Sequence, residues 1–244
     1  MATADKLNKL IETKANIKEA IKAKGVTVND SDTFASYPSK IASISGGGSS
    51  KFIVPEGIKF AYSTFNEFNT EQYDVSNVTD MSNMFRECFS MQNIDLSTWN
   101  MVSVIDMSYM FMNCGNLQNV VLPQILSVYD TSYMFSSCSY LYSIDLSGLY
   151  TGYLITMESM FNGCANLKEL RLTGLGENND CIELDLSSCY NLTKESVLYL
   201  FENAFDRAAA GYTNPFTITL YPDTKALLTE EEIAIATNKG FTVV

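Results

Sequence analysis

The sequence predicts an α/β repeat fold, a solenoid of short parallel strands, capped at both ends and preceded by an N-terminal helix. Three observations predict it. Phe85, Phe111, Phe135 and Phe161 recur at nearly constant spacing, each directly preceded by a methionine: Met84, Met110, Met134 and Met160. The third position after each Phe is Cys88, Cys114, Cys138 or Cys164. An apolar ladder then follows each cysteine: Met91, Ile94 and Leu96; Leu117, Val120 and Leu122; Leu141, Ile144 and Leu146; Leu167, Leu170 and Leu172. Regular recurrence on this scale marks one supersecondary unit that cannot bury its apolar face alone and stacks on its copies.

Within each copy, the I-x-L segment is a short strand with alternate residues inward. The M-S-x-M-F segment forms the opposing turn or short helix, with Asp80, Asp106 and Asp130 as caps. Residues 53–77 carry Phe60, Tyr62, Phe65 and Phe68 at spacings unlike the later copies, which predicts a degenerate or capping repeat. Beyond Thr173 the ladder continues through Ile182, Leu184, Leu186, Cys189 and Leu192. Thr193 or Ser196 then caps a helix with Val197, Leu200, Phe201 and Phe205 on one face. A strand over 217–220 and a helix over 229–238, stopped by Gly240, close the body.

Three segments make up this plan: residues 1–45, a helical head; 46–50, a Gly/Ser linker; and 51–244, the repeat body. Lys6 to Lys24 reads as a helix ended by Gly25. Leu7, Lys14 and Ile21 form one heptad column, and Leu10, Ile17 and Lys24 another. Leu7, Leu10, Ile17 and Ile21 are the candidate oligomerisation residues. A helix packed on its own chain fits the same pattern.

Charge divides the chain in the same place. The net charge is -12, yet residues 1–45 hold seven Lys against five acids, so the body is strongly acidic. An acidic body argues against nucleic acid as a partner. No apolar run is long enough to span a bilayer, which predicts no membrane insertion. The first residues lack a signal-peptide core, so export by that route is not expected. Histidine is absent, which removes His triads, His bases and His metal ligands. No phosphate loop, nucleophile elbow or zinc spacing is present, and no cofactor is expected.

Five of the six cysteines occupy one repeat position, so they read as a buried ladder of small apolar groups; Cys181 stands outside it. Asp95, Asp145 and Asp185 align on the outward side of the strands, with Arg171 in that place in the fourth copy. Acids repeated by a template read as turn or solvent-facing groups before they read as catalysts. Aromatic residues are more suggestive. Tyr109 and Tyr133 share the variable slot of M-S-x-M-F, while Tyr129, Tyr140 and Tyr142 crowd the third copy, and Trp99 is the single tryptophan. Rigid aromatic faces suit sugar rings or protein partners. These residues, with the outward acids and Arg171, are the candidate ligand-binding set.

The signature V-T-D-M-S-x-M-F-x-x-C-x-x-L-x-x-I-D-L-S is carried by Val78, Asp80, Met81, Ser82, Met84, Phe85, Cys88, Met91, Ile94, Asp95, Leu96 and Ser97. It resembles the leucine-rich repeats of the BspA type, including the variant frequent in mycoplasma and gut-bacterial surface proteins. The resemblance implies a right-handed leucine-rich-repeat solenoid. The copies depart from it at Val121-Leu122-Pro123, which replaces D-L-S, and at Glu158. Residues 1–45, with ADKLNKLIETKANIKEAIKAKGV and FASYPSKIASI, are similar to the N-terminal segment of bacteriophage tail-fibre and related virion proteins. Together the resemblances imply a non-enzymatic virion protein, a tail or head fibre. Its head would bind other virion proteins, as a homotrimer, and its solenoid would meet a host surface glycan or protein. A bacterial BspA-like cell-surface adhesin is the alternative, and a glycan-active enzyme is a third class.

Overall fold

The computed structural model describes residues 51–64 and 68–244, with Lys18, Glu19, Lys22 and Val28 of the preceding segment. Lys18, Glu19 and Lys22 are helical. The oligomerisation residues Leu7, Leu10, Ile17 and Ile21, the 46–50 linker and Phe65 lie outside the described residues.

Each repeat is tied to the next by backbone hydrogen bonds from alternate residues of its M-S-x-M-F turn. Met81, Asn83, Phe85 and Glu87 donate to the carbonyls of Asp106, Ser108, Met110 and Met112 at 2.8–2.9 Å. The next repeat does the same from Met107, Tyr109, Phe111 and Asn113. Within each repeat, the Met84 and Cys88 amides bond back to Met81 and Phe85, so the segment is a run of tight turns rather than a short helix. In each the third residue is left-handed, as in a type II turn. Asn83, Tyr109, Tyr133 and Ser159 occupy this position with φ of 58°, 59°, 56° and 51°, as do Glu87, Asn113, Ser137 and Gly163 one turn later. Asp80, Asp106 and Asp130 accept the amides of Ser82, Ser108 and Ser132 at 2.7–2.8 Å, in the capping role expected of them.

A spine of stacked rings runs through the interior: Phe85–Phe111 and Phe111–Phe135 at 5.5 Å, and Phe135–Phe161 at 5.9 Å, all within 9° of parallel. Phe60 extends it, 5.7 Å from Phe85, and its amide bonds the Met84 carbonyl at 2.7 Å. The 53–77 segment therefore holds one more turn in register with Phe85, in which neither the methionine nor the cysteine of the template is present.

The strands pair in parallel: β1 (Phe52–Ile53) with β2 (Tyr73–Asp74), β3 (Asn93–Asp95) with β4 (Asn119–Val121), and β5 (Ser143–Asp145) with β6 (Glu169–Arg171). A continuous sheet along the stack is not what forms. Among the described residues β4 and β5 share no ladder.

The C-terminal part replaces the template. β7 (Glu183–Leu186), β8 (Phe216–Leu220) and β9 (Phe241–Val243) make a parallel sheet in that order. Helices α1 (Lys194–Asn203), α2 (Pro222–Lys225) and α3 (Glu230–Thr237) lie between them in sequence. Thr193 caps α1 by accepting the Ser196 amide, and Thr229 forms a capping box with Glu232. β7 occupies the turn position of its repeat, not the strand position: the Cys189 amide bonds Leu186 at 3.0 Å, as the Cys164 amide bonds Phe161 at 3.1 Å. Leu186 thus stands where the other repeats have Phe. Ile182, expected in the ladder, is exposed.

Candidate functional site

The two hydrogen-bonded strands β5 and β6 form an island, with a hollow on either side where the template is broken. The first hollow has a volume of about 430 Å³ and lies between β4 and β5, lined by Val120 to Ile125 and Asp145 to Leu149. Its cause is local. In the first and third repeats, Asp95 and Asp145 accept the amides of Ser97 and Ser147 at 2.9 Å, which closes the strand end. The second repeat has Val121 and Pro123 at these positions, and proline has no amide to donate. Stacking resumes only at Ile125, whose amide bonds the Gly148 carbonyl at 2.9 Å. A Cβ on Gly148 would lie 3.5 Å from the Gln124 Cα, so a small residue suits this approach.

The second hollow, about 330 Å³, lies between β6 and the start of α1, lined by Glu169, Arg171, Thr193, Glu195, Ser196 and Tyr199. Here a side chain substitutes for a strand. The Ser196 hydroxyl accepts the Leu170 amide at 2.8 Å and donates to the Leu170 carbonyl at 3.1 Å. The backbone of β6 is satisfied at this point without a neighbouring strand, and the hollow beside it stays open.

Side chains on the island are polar, aromatic and held in place. The strand pattern buries Ile144 and Leu170 and turns Asp145 and Arg171 outward as register partners. The Ser147 hydrogen bonds hold the Asp145 carboxyl below the usual range, helped by the charge of Arg171. The Arg171 guanidinium lies 5.2 Å from the Tyr199 ring centre, and the Lys168 ammonium 5.0 Å from that of Tyr142. Cations over rings in this way are held without a salt bridge. The arrangement offers Asp145, Glu169 and Glu195 as acceptors, Lys168 and Arg171 as donors, the Tyr199 ring in the second hollow and the Tyr142 ring beside Lys168.

Of the candidate set, Asp145, Arg171 and Tyr142 come together here, and Tyr140 is exposed in the same repeat. Asp95 is exposed on β3 opposite Val121, away from the island. Tyr109 and Tyr133 stack at 4.9 Å and 2° on the turn side, where the Tyr133 hydroxyl donates to Glu158 at 2.9 Å. Tyr129 lies elsewhere, 6.0 Å from Tyr153.

Two candidates are corrected. Trp99 is only 3% exposed, its indole N–H donates to the Thr70 carbonyl at 2.9 Å, and it stacks 6.0 Å from Phe85. Its polar edge is already satisfied inside, so it has no face to offer a ligand. Asp185 does not align with Asp95 and Asp145: it sits on β7 in the turn position and accepts the Ser187 amide at 2.8 Å.

The candidate set lacks Lys168, Glu169, Glu195 and Tyr199. The sequence does carry a signal for the first hollow, the Val121-Leu122-Pro123 departure. No repeat pattern announces Tyr199, which comes from a helix outside the template.

Among the described residues no His, Cys, Asp and Glu group could hold a metal ion, and no helix is long and apolar enough to cross a membrane. No curated protein and no solved structure matches the chain. Residues 57–173, which carry the turns from Phe60 to Phe161 and the strands β2 to β6, match the family described as "Mycoplasma protein of unknown function, DUF285".

Proposed function

We propose that the protein is a non-enzymatic component of a phage particle, a tail or head fibre, in which residues 51–244 form a right-handed leucine-rich-repeat solenoid displayed for host attachment. The parallel bridges between successive repeats and the continuous Phe spine support the solenoid reading. The β5–β6 island with its two hollows carries the attachment reading, because it groups fixed cations, acids and aromatic faces on an open surface. Its ligand is a host surface glycan or protein, not nucleic acid, given the acidic body. Resemblance of residues 1–45 to virion proteins supports binding to other virion proteins and a homotrimer, which would multiply weak contacts.

The decisive experiment compares binding of the intact chain and of its Arg171→Ala and Tyr142→Ala variants to host cells. A loss of about tenfold is expected for each, since a well-placed charged or aromatic contact contributes about 1–2 kcal/mol. Unchanged binding by both would sink the island as the site. A chain lacking residues 1–45 should fail to enter particles, and light scattering should give three chains per assembly.

The match of residues 57–173 to a mycoplasma family favours a second reading, a bacterial BspA-like surface adhesin. Recovery of the protein from the envelope of the producing cell, rather than from particles, would select it. Glu169 and Glu195 line one hollow, so polysaccharide cleavage lost in Glu169→Gln would replace binding by catalysis.

A further inference from the structure

We infer that the ligand of the island is a glycan without acidic sugars, whose hydroxyls pair with the broken strand edges between β4 and β5 and whose chain runs past Gly148 to Tyr150. This rests on the attachment reading and chooses between its two ligand classes. The gap is a defect in hydrogen bonding. At the intact interfaces on either side, the Gln118 and Lys168 amides donate to the Gln92 and Tyr142 carbonyls at 2.8 Å. The Leu96 and Leu146 amides donate likewise to Val121 and Arg171, at 2.8 and 2.7 Å. The corresponding bonds from Tyr142 to Gln118 and from Leu122 to Asp145 do not form. Leu122 and Asp145 line the first hollow, so a backbone donor and a backbone acceptor in want of partners lie at its wall.

The fold itself shows which chemistry meets that need. Leu170 holds the repeat position of Val120, and there a single hydroxyl, that of Ser196, accepts the amide and donates to the carbonyl. A hydroxyl is donor and acceptor at once, so it bridges backbone groups that do not reach each other. Sugars carry several on one ring. An inserted peptide strand needs about 10 Å between its neighbours, twice the ordinary strand spacing, whereas β4 and β5 still approach within 8 Å.

The first hollow also has a continuation. A smaller cavity of about 170 Å³ shares Gln124, Ser147, Gly148 and Leu149 with it and reaches Tyr150, Thr173 and Glu177. The Tyr150 hydroxyl donates to Glu177 at 3.2 Å while the residue stays 42% exposed, which holds the ring as a stacking platform. Two joined cavities suit a chain of sugars rather than one. Asp145 and Glu177 line them and no Lys or Arg does, so an acidic sugar is repelled.

The test measures binding of the intact chain to host cells before and after periodate, which cleaves vicinal diols. Periodate should lower binding at least tenfold. Binding that survives it overturns the inference and leaves attachment standing, whereas no binding to untreated cells overturns both. Polysaccharide extracted from the same cells is the soluble probe. It should slow exchange of the Leu122 and Tyr142 amides at least tenfold by NMR and leave the bonded Leu96 and Leu146 amides unchanged. Unchanged exchange at Leu122 overturns the inference. The fraction not retained by an anion exchanger should compete at least tenfold better than the retained one, and the reverse order overturns the exclusion of acidic sugars. Gly148→Leu places a side chain where the cavities join, with its Cβ at ordinary contact distance, 3.5 Å, from Gln124 and Pro123. It and the exposed-site variant Gln124→Ala should each weaken binding at least fivefold, and unchanged binding by both overturns the groove.

Discussion

The Sγ of Cys138 lies 3.1 Å from the carbonyl oxygen of Phe111, one repeat earlier, and donates a hydrogen bond to it. Cys88, Cys114, Cys164 and Cys189 make the same contact to Phe60, Phe85, Phe135 and Phe161, at 3.0–3.8 Å. The cysteine is thus more than a small apolar filler: its thiol joins neighbouring repeats beside the Phe spine. Cys138→Ala removes this donor and leaves a void at a fully buried site. A loss of about 1–2 kcal/mol is expected in urea unfolding. A change below a few tenths would show that the contact is incidental.

The same ladder makes the fold sensitive to alkali. Burial pushes the Cys138 and Cys189 thiols up to about 12, and Cys164 well above the usual range. An unfolded thiol ionises at about pH 8.5. The native state therefore keeps protons that the unfolded state has lost, and stability falls as pH rises from about 9 towards 12. Each such thiol contributes a slope of up to about 1.4 kcal/mol per pH unit. Tyr73, also raised by burial, adds the same sign above its ordinary range. Urea midpoints should be level at neutral pH and drop steeply above about pH 9, with a shallower drop in Cys138→Ala. A level profile far into the alkaline range would contradict the burial.

Gly163 occupies the second left-handed position of the fourth repeat, with φ of 75°. Its counterparts Glu87, Asn113 and Ser137 adopt φ of 59°, 61° and 62° despite carrying side chains. A Cβ at Gly163 would lie 3.4 Å from the Ser137 Cα. Gly163→Ala should therefore cost about 1–2 kcal/mol, the left-handed penalty plus a small adjustment, without preventing folding. Thermal unfolding measures it, and a stabilised variant would refute the argument.

Trp99→Phe tests the structural role given to the single tryptophan. Phenylalanine keeps most of the packing against Phe85 but removes the donor to the buried Thr70 carbonyl. A loss of about 1–3 kcal/mol follows from the unpaired group. The wild-type emission should be blue-shifted and poorly quenched by iodide, and ready quenching would restore Trp99 to the ligand-binding set.

Much of the core is legible in the sequence because the repeat is its own alignment. Met84, Phe85, Cys88, Ile94 and Leu96 recur, and all five are buried. What repeats, however, says nothing about breaks in hydrogen bonding. The Pro123 departure is visible in the sequence, but the hollow it opens depends on an amide that is missing from the strand end. The turn around Phe60 is hard to recognise because it lacks the Met and Cys that label the others. Trp99 reads as a surface aromatic because its partner, Thr70, belongs to the segment with the weakest pattern. Asp185 misaligns because strand β7 replaces a turn, and only the Cys189 to Leu186 bond reveals the shift. Ile105, Tyr129 and Ile155 are exposed in successive repeats, and this is hidden because an outward apolar slot looks, in sequence, like one more core position.

Arg207 closes the stack in a way no repeat pattern foretells. It is 1% exposed, with Nη1 donating to the Gly176 carbonyl at 2.7 Å and Nη2 to Asn214 at 2.8 Å and Asn179 at 3.2 Å. Tyr212, Phe216 and Phe241 surround the guanidinium, with ring centres at 5.2–5.9 Å. The planar fork thus ties the loop after the fourth repeat to the terminal sheet. Lysine keeps the charge but cannot reach three acceptors in one plane. Arg207→Lys should cost about 2–4 kcal/mol, because a buried cation is left with unmet partners. In a stacked repeat this loss is local before it is global, since each unit contacts chiefly its neighbours. Amides of β8 and β9 should therefore exchange faster in the variant, while those between the Phe85 and Phe111 turns keep their protection. Uniform acceleration along the whole chain would mean that the terminal sheet and the repeats unfold as one unit.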